Sequence, residues 1–248
     1  MNDFLKNVSI DSRPELMCAL IAGSHLYQMN TEGSDVDLRI IYKATNPIYI
    51  YGVKEAVTVS TTSDEEDAAK YEFKHFMSLM KKTNTQMAEI LFCGEESLLF
   101  CSEDFRRVRE NRFRLLDSEK LFKSLCGYLQ NERRIAMGIR VGQLGGKRKE
   151  ALNQYGFSPK NCSHFIRLSA VGVGLFLDGD YMVGMKDHPL YDLLMNIKLS
   201  PGDFSKEKLS ELLDKHEQLL FDAYSNRKFN FTFDDDIAGE LLRQAYSK

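Results

Sequence analysis

Two neighbouring stretches decide how this chain is read: Ala22-Gly23-Ser24-His25-Leu26-Tyr27 and Gly33-Ser34-Asp35-Val36-Asp37-Leu38-Arg39. The first ends an apolar run, residues 17–22, which reads as a buried strand closing on a Gly-Ser turn. Gly23 and Ser24 there let the backbone approach phosphate oxygens, with amides and a hydroxyl as donors. The second opens residues 36–42, whose alternation predicts another strand. Asp35 and Asp37 stand two residues apart, so a strand would turn both carboxylates to one face. Like charges side by side are unfavourable unless a cation sits between them. Hard oxygen donors of this kind suit Mg²⁺, and two ions about 3.5–4 Å apart can hold a triphosphate and activate a hydroxyl. Asp-x-Asp alone is a weak signal, since most such pairs are solvated surface; the Gly-Ser turn at fixed distance upstream strengthens it.

Outward from this segment, residues 53–61 predict a third strand and residues 68–73 a short fourth. The period then changes. Phe73, Phe76, Met77 and Met80 follow helical spacing, and helices are expected over 86–92, 103–116, 118–137, 161–177, 205–224 and 234–246. Strands first and helices afterwards indicate an α+β fold. The expected division is a core over 1–117 carrying the Gly-Ser…Asp-x-Asp motif, then a helical domain over 118–248 completing the substrate cleft.

With 248 residues, 43% of them hydrophobic, the chain can bury a proper core. A net charge of -3 excludes bulk attraction to polyanions but leaves room for a local basic groove. Cys18, Cys93, Cys101, Cys126 and Cys162 lack close pairing and read as reduced, mostly buried thiols. No apolar run reaches the roughly 20 residues a membrane span needs, and the first residues lack signal-peptide character. A soluble, cytoplasmic protein without a membrane partner is expected.

The string GSHLY…GSDVDLRIIY resembles the Gly-Ser…Asp-x-Asp signature of the DNA polymerase β-like nucleotidyltransferases. Further matches run from about residue 20 to residue 185. Asp67-Ala68-Ala69-Lys70-Tyr71-Glu72-Phe73-Lys74-His75-Phe76, residues 82–92 (KTNTQMAEILF) and Lys160-Asn161-Cys162-Ser163-His164-Phe165-Ile166-Arg167-Leu168 are similar to a branch linked to RNA repair. Gln28, Ile40 and Thr85 stand where that branch has glycine, glycine and proline. The resemblance implies an N-terminal polymerase β-like core, a mixed sheet with flanking helices, followed by a helical C-terminal region. It also implies a third carboxylate on a neighbouring strand. Glu72, between Tyr71 and Phe73, is the favoured residue and Asp67 its rival, on the opposite strand face. Asp35, Asp37 and Glu72 would then be the catalytic and metal-binding set for two Mg²⁺ ions, with Mn²⁺ as the alternative.

Residues 105–149 hold 13 Lys and Arg against four Asp and Glu. They read either as a solvated helical surface or as a groove for triphosphate or nucleic acid. The turn Gly145-Gly146-Lys147-Arg148-Lys149 is the best phosphate candidate within it. Gly23, Ser24, Arg39, Lys147, Arg148, His164 and Arg167 are the expected substrate-binding residues, with His164 and Arg167 three apart on one helix face. The expected activity moves a nucleoside monophosphate from ATP or another nucleoside triphosphate to a hydroxyl, with an RNA or tRNA end among the acceptor classes. The competing readings are a non-catalytic nucleotide- or RNA-binding partner and a regulator that nucleotidylates protein.

Overall fold

A computed structural model describes residues 14–52, 54, 59–62, 67–139 and 146–247. The chain divides into two units, Met1–Asp117 with Phe231–Lys248, and Ser118–Asn230. The break after residue 117 falls where the sequence places it. The last 18 residues, however, rejoin the first unit rather than completing the second.

The first unit is built on a five-stranded mixed sheet, ordered β3-β4-β2-β1-β5. Its strands are β1 (Glu15–Ala22), β2 (Asp37–Lys43), β3 (Val59–Thr62), β4 (Asp67–Glu72) and β5 (Leu98–Cys101). β1 runs antiparallel to both β2 and β5, whereas β2 and β4 are parallel. Strand β1 is buried along most of its length, as an interior strand covered on both faces should be. Ala19, Ile40 and Ala68 form one buried row across β1, β2 and β4. Ile40 is fully buried, so the branched residue found in place of the family-like glycine is core packing. Of the predicted third strand, Val53 and residues 55–58 lie outside the described residues. Strand β5 carries no alternation and was not anticipated.

Helices α1 (Gly23–Leu26), α2 (Pro47–Ile50), α3 (Phe73–Lys81), α4 (Thr85–Phe92) and α5 (Glu103–Glu110) decorate the sheet. Helix α3 ends in a Schellman turn: Thr83 has a positive φ and the Asn84 amide donates back to the Leu79 carbonyl. The Asn84 side chain then accepts from the amides of Gln86 and Met87, capping α4. Thr85 occupies the first position of α4, where proline is favoured but not required. Helix α11 (Asp235–Tyr246) returns to this unit through Tyr246, whose hydroxyl donates to Glu72, and through Lys43, whose Nζ donates to the Ala245 carbonyl at 2.9 Å.

The second unit consists of α6 (Ser118–Ala136), α7 (Gly146–Tyr155), α8 (Pro159–Asp178), α9 (Tyr191–Leu199) and α10 (Lys206–Ser225). Helix α8 is its axis, packed against α6, α9 and α10. Gly172 lies where α6 and α10 press closest: a Cβ there would meet Leu220 Cδ1 at 2.5 Å and Leu125 Cδ1 at 2.8 Å. Helices α7 and α9 escaped the sequence reading because neither shows a strong apolar stripe. No helix among the described residues is long and apolar enough to cross a membrane.

Two outcomes test these packing arguments. Gly172→Val should destabilise the protein by about 1–3 kcal/mol through overpacking, read by urea unfolding; an unchanged midpoint would remove the close approach at α8. Gln28, which follows α1, holds φ at 56°, a left-handed conformation costing a side-chain-bearing residue about 1–2 kcal/mol. Gln28→Gly should therefore gain up to about 1 kcal/mol after glycine's own entropic cost, and a lower melting temperature would contradict that.

Candidate active site

Ala22, the last residue of β1, pairs with Asp37, the first residue of β2, and Asp37 pairs in turn with Asp67, the first residue of β4. Registered partners on adjacent strands share a face. The carboxylates of Asp37 and Asp67 thus stand side by side at one edge of the sheet, and the Gly-Ser loop leaves β1 at that same edge. Asp37 is half-buried and Asp67 exposed.

Gly23 is fitted against this pair. Its φ is 61°, and a Cβ built on it would fall on Asp37 Oδ2. Glycine is required twice over, by backbone conformation and by space. Ser24 follows in the short helix α1, its carbonyl accepting the Met29 amide at 2.9 Å. His25 Nε2 lies 3.4 Å from the Ser34 carbonyl, joining the Gly-Ser loop to the loop that carries Asp35. Ser34 Oγ accepts the Thr31 amide at 2.8 Å and tightens that second loop. Tyr27 donates its hydroxyl to Glu89 Oε2 at 2.9 Å, tying the loop to a buried carboxylate on α4.

Asp35 precedes β2 instead of lying on it, and is exposed. Strand alternation therefore does not fix its direction, contrary to the expectation that it and Asp37 share a strand face. Arg39, two residues beyond Asp37 and on the same face, is half-buried and donates Nη1–H to the Leu38 carbonyl at 3.0 Å.

Glu72 is not part of this edge. It pairs with Tyr42, five rungs further along β2 and β4 from Asp37 and Asp67. Its buried carboxylate caps α3 by accepting the amides of Lys74 at 2.8 Å and His75 at 3.2 Å, and takes the Tyr246 hydroxyl besides. Burial first, then the negative charge of Glu72, hold the Tyr246 phenol far above its usual range, so it stays a donor. Glu72 is a structural cap, and Asp67 takes the position beside Asp37. The opposite-face relation of the two acids is legible from their odd spacing, but the side facing Asp37 depends on the strand register.

The basic segment does not form one groove. Its members before residue 118 belong to the first unit and have local partners. Arg109 meets Glu95 at 2.9 Å and the Leu91 carbonyl, Arg107 meets Asp104, Arg114 meets Asp234, and Arg112 lies over Phe92 and Phe113. Arg133 in the second unit bridges to Asp214 and Glu217. Arg140 and Gly145 lie outside the described residues. Gly146, Lys147 and Arg148 form the first turn of α7 rather than a glycine loop. His164 and Arg167 do share a face of α8, with Arg167 Nη2 at 3.4 Å from His164 Nδ1.

No curated protein matches the chain significantly. Among solved structures, the crystal structure of a nucleotidyltransferase-like protein from Exiguobacterium sibiricum aligns with 12% identity and a TM-score of 0.31, covering 99% of this chain and 79% of that one. A family model, the RNA repair pathway DNA polymerase beta family (RlaP), matches residues 1–137, which contain the whole sheet and the Gly23, Asp37 and Asp67 edge. The chain belongs to the RNA repair pathway DNA polymerase beta family.

Proposed function

We propose that the protein is a metal-dependent nucleotidyltransferase, moving a nucleoside monophosphate from a nucleoside triphosphate to a hydroxyl acceptor and releasing pyrophosphate. RNA is the favoured acceptor class, in keeping with the family. The observation that carries this reading is the row Ala22, Asp37 and Asp67 across three strands, with Gly23 seated on Asp37.

The donor set suits Mg²⁺, with Mn²⁺ as the alternative: oxygen only, few in number and at the protein surface. Mg²⁺ typically takes one or two carboxylates and completes its octahedron with water and substrate phosphates. Among the described residues no three His, Cys, Asp or Glu side chains converge as a ready cage. Such a site is completed by the nucleotide itself. When bound, the metal neutralises phosphate charge and eases deprotonation of the attacking hydroxyl.

The remaining chemistry falls to the chain's own residues. Asp35 and Asp37 hold the cation, while Gly23 and Ser24 bring backbone amides and a hydroxyl close to the phosphates. Asp67, more exposed than Asp37, accepts the acceptor's proton as the hydroxyl oxygen bonds to the α-phosphorus. The α–β phosphoanhydride bond breaks and pyrophosphate leaves. Arg39 lies on the face of Asp37 and offsets negative charge there.

The test is incubation with each labelled nucleoside triphosphate and Mg²⁺, with and without mixed RNA. Asp37→Ala and Asp67→Asn should each lower transfer at least about 100-fold, the upper end of what losing a mere supporting partner costs a metal site. Glu72→Gln, which keeps an oxygen to cap α3, should retain transfer. Full activity in Asp37→Ala, or a loss confined to Glu72→Gln, would overturn the assignment.

A further inference from the structure

The second unit holds a polar cluster that its fold does not require. Ser158, Asn161 and Arg167 are 1%, 3% and 1% exposed, at the N-terminal half of a helix otherwise buried among apolar residues. Ser158 Oγ–H donates to Asn161 Oδ1 at 2.6 Å, and Asn161 Nδ2–H donates to Glu132 Oε2 at 2.7 Å. Arg167 Nη2–H points to His164 Nδ1. A guanidinium has no acceptor, so His164 Nδ1 must receive the bond and the imidazole proton sits on Nε2. Burial, followed by Arg167, Lys160 and Arg148, holds the His164 pKa well below its usual value, which keeps that ring neutral with one N–H to offer.

The charges around this floor do not balance. Arg148, Lys160 and Arg167 all act on Glu132, the one carboxylate of the cluster. Lys198 of α9 lies near enough to Lys160 for that charge, after burial, to lower its pKa. The cluster reaches solvent: Lys160 is exposed, and Glu132, Arg148, His164 and Lys198 are partly so. Four cations gathered around one acid repel one another unless an anion joins them. A guanidinium fork, two ammonium groups and a neutral imidazole N–H together match the tetrahedral oxygens of a phosphate.

We propose that Arg148, Lys160, His164 and Arg167 form a phosphate-binding site within the helical unit, taking a phosphate ester of the RNA acceptor or of the nucleotide. Its meaning for catalysis rests on the transfer reading above, but binding at this site requires neither the metal nor the sheet-edge aspartates. A nucleic-acid phosphate and a nucleotide phosphate share this chemistry, and the experiment separates them.

Binding of a labelled single-stranded RNA, and separately of ATP, is measured by fluorescence anisotropy and calorimetry with the full chain in EDTA. Arg148→Ala and Lys160→Ala should each weaken binding roughly tenfold, as expected for a charge-assisted contact. For RNA, each should also lower the log–log salt slope by about one. Lys215→Ala, an exposed cation elsewhere in the same unit, should change neither, and matched thermal melting shows that the variants are folded. Weakening confined to RNA assigns the site to the acceptor, and weakening confined to ATP assigns it to the nucleotide. An Arg148→Ala/Lys160→Ala double variant that binds both probes like the wild type, or no worse than Lys215→Ala, overturns the proposal. An Asp37→Ala/Asp67→Asn variant should bind RNA normally in EDTA, so a failure of transfer chemistry is distinguishable from a failure of this site.

Discussion

The parallel pairing of β2 with β4 is the constraint on which the candidate site depends. Because the two strands run the same way, their first residues, Asp37 and Asp67, arrive at the same edge of the sheet. Because β1 runs the other way, its last residue arrives there too and delivers Gly23 against Asp37. Three separated segments thus converge without any long loop reaching across the molecule. A slip of one residue would turn Asp67 to the opposite face. The register is pinned by the buried row of Ala19, Ile40 and Ala68, which a slip would expose.

Around this edge the structure holds its loops by specific short contacts. The His25–Ser34 and Tyr27–Glu89 contacts close the Gly-Ser loop on both sides. Arg109 then fixes the end of α4 by bonding the carbonyls of Leu91 and Cys93. Chemistry that depends on positioning gains from loops whose conformation is already set, since little ordering remains to be done when substrate binds. The departures from the family-like motif are tolerated for ordinary reasons. Ile40 fills the core, Thr85 begins a helix already capped by Asn84, and Gln28 accepts a left-handed backbone.

Charge is distributed differently in the two units. In the first, the arginines of α5 and the turn after it are matched to acids, carbonyls or aromatic rings, so their local excess is largely structural. In the second, one carboxylate faces Arg148, Lys160 and Arg167 over a floor of buried polar side chains. Sequence counting treats these two situations alike. Only the identity of the neighbours separates a neutralised surface from one that attracts an anion.

The sequence by itself determined the strand-then-helix order, the Gly-Ser turn, the two aspartates and the break after residue 117. Each is written in local periodicity or in contiguous residue types, which are dictated by neighbours in the chain. Tertiary structure decided what depends on pairing across the chain. It placed Asp67 beside Asp37, because register sets which face of β4 looks toward β2. It made Glu72 a helix cap, because a buried carboxylate needs the two amides and the hydroxyl that α3 and α11 supply. It returned residues 231–248 to the first unit, because α11 docks on residues nearly two hundred positions earlier, Lys43 and Glu72 among them. No local pattern records a partner that far away; only the packed sheet and its covering helices fix it.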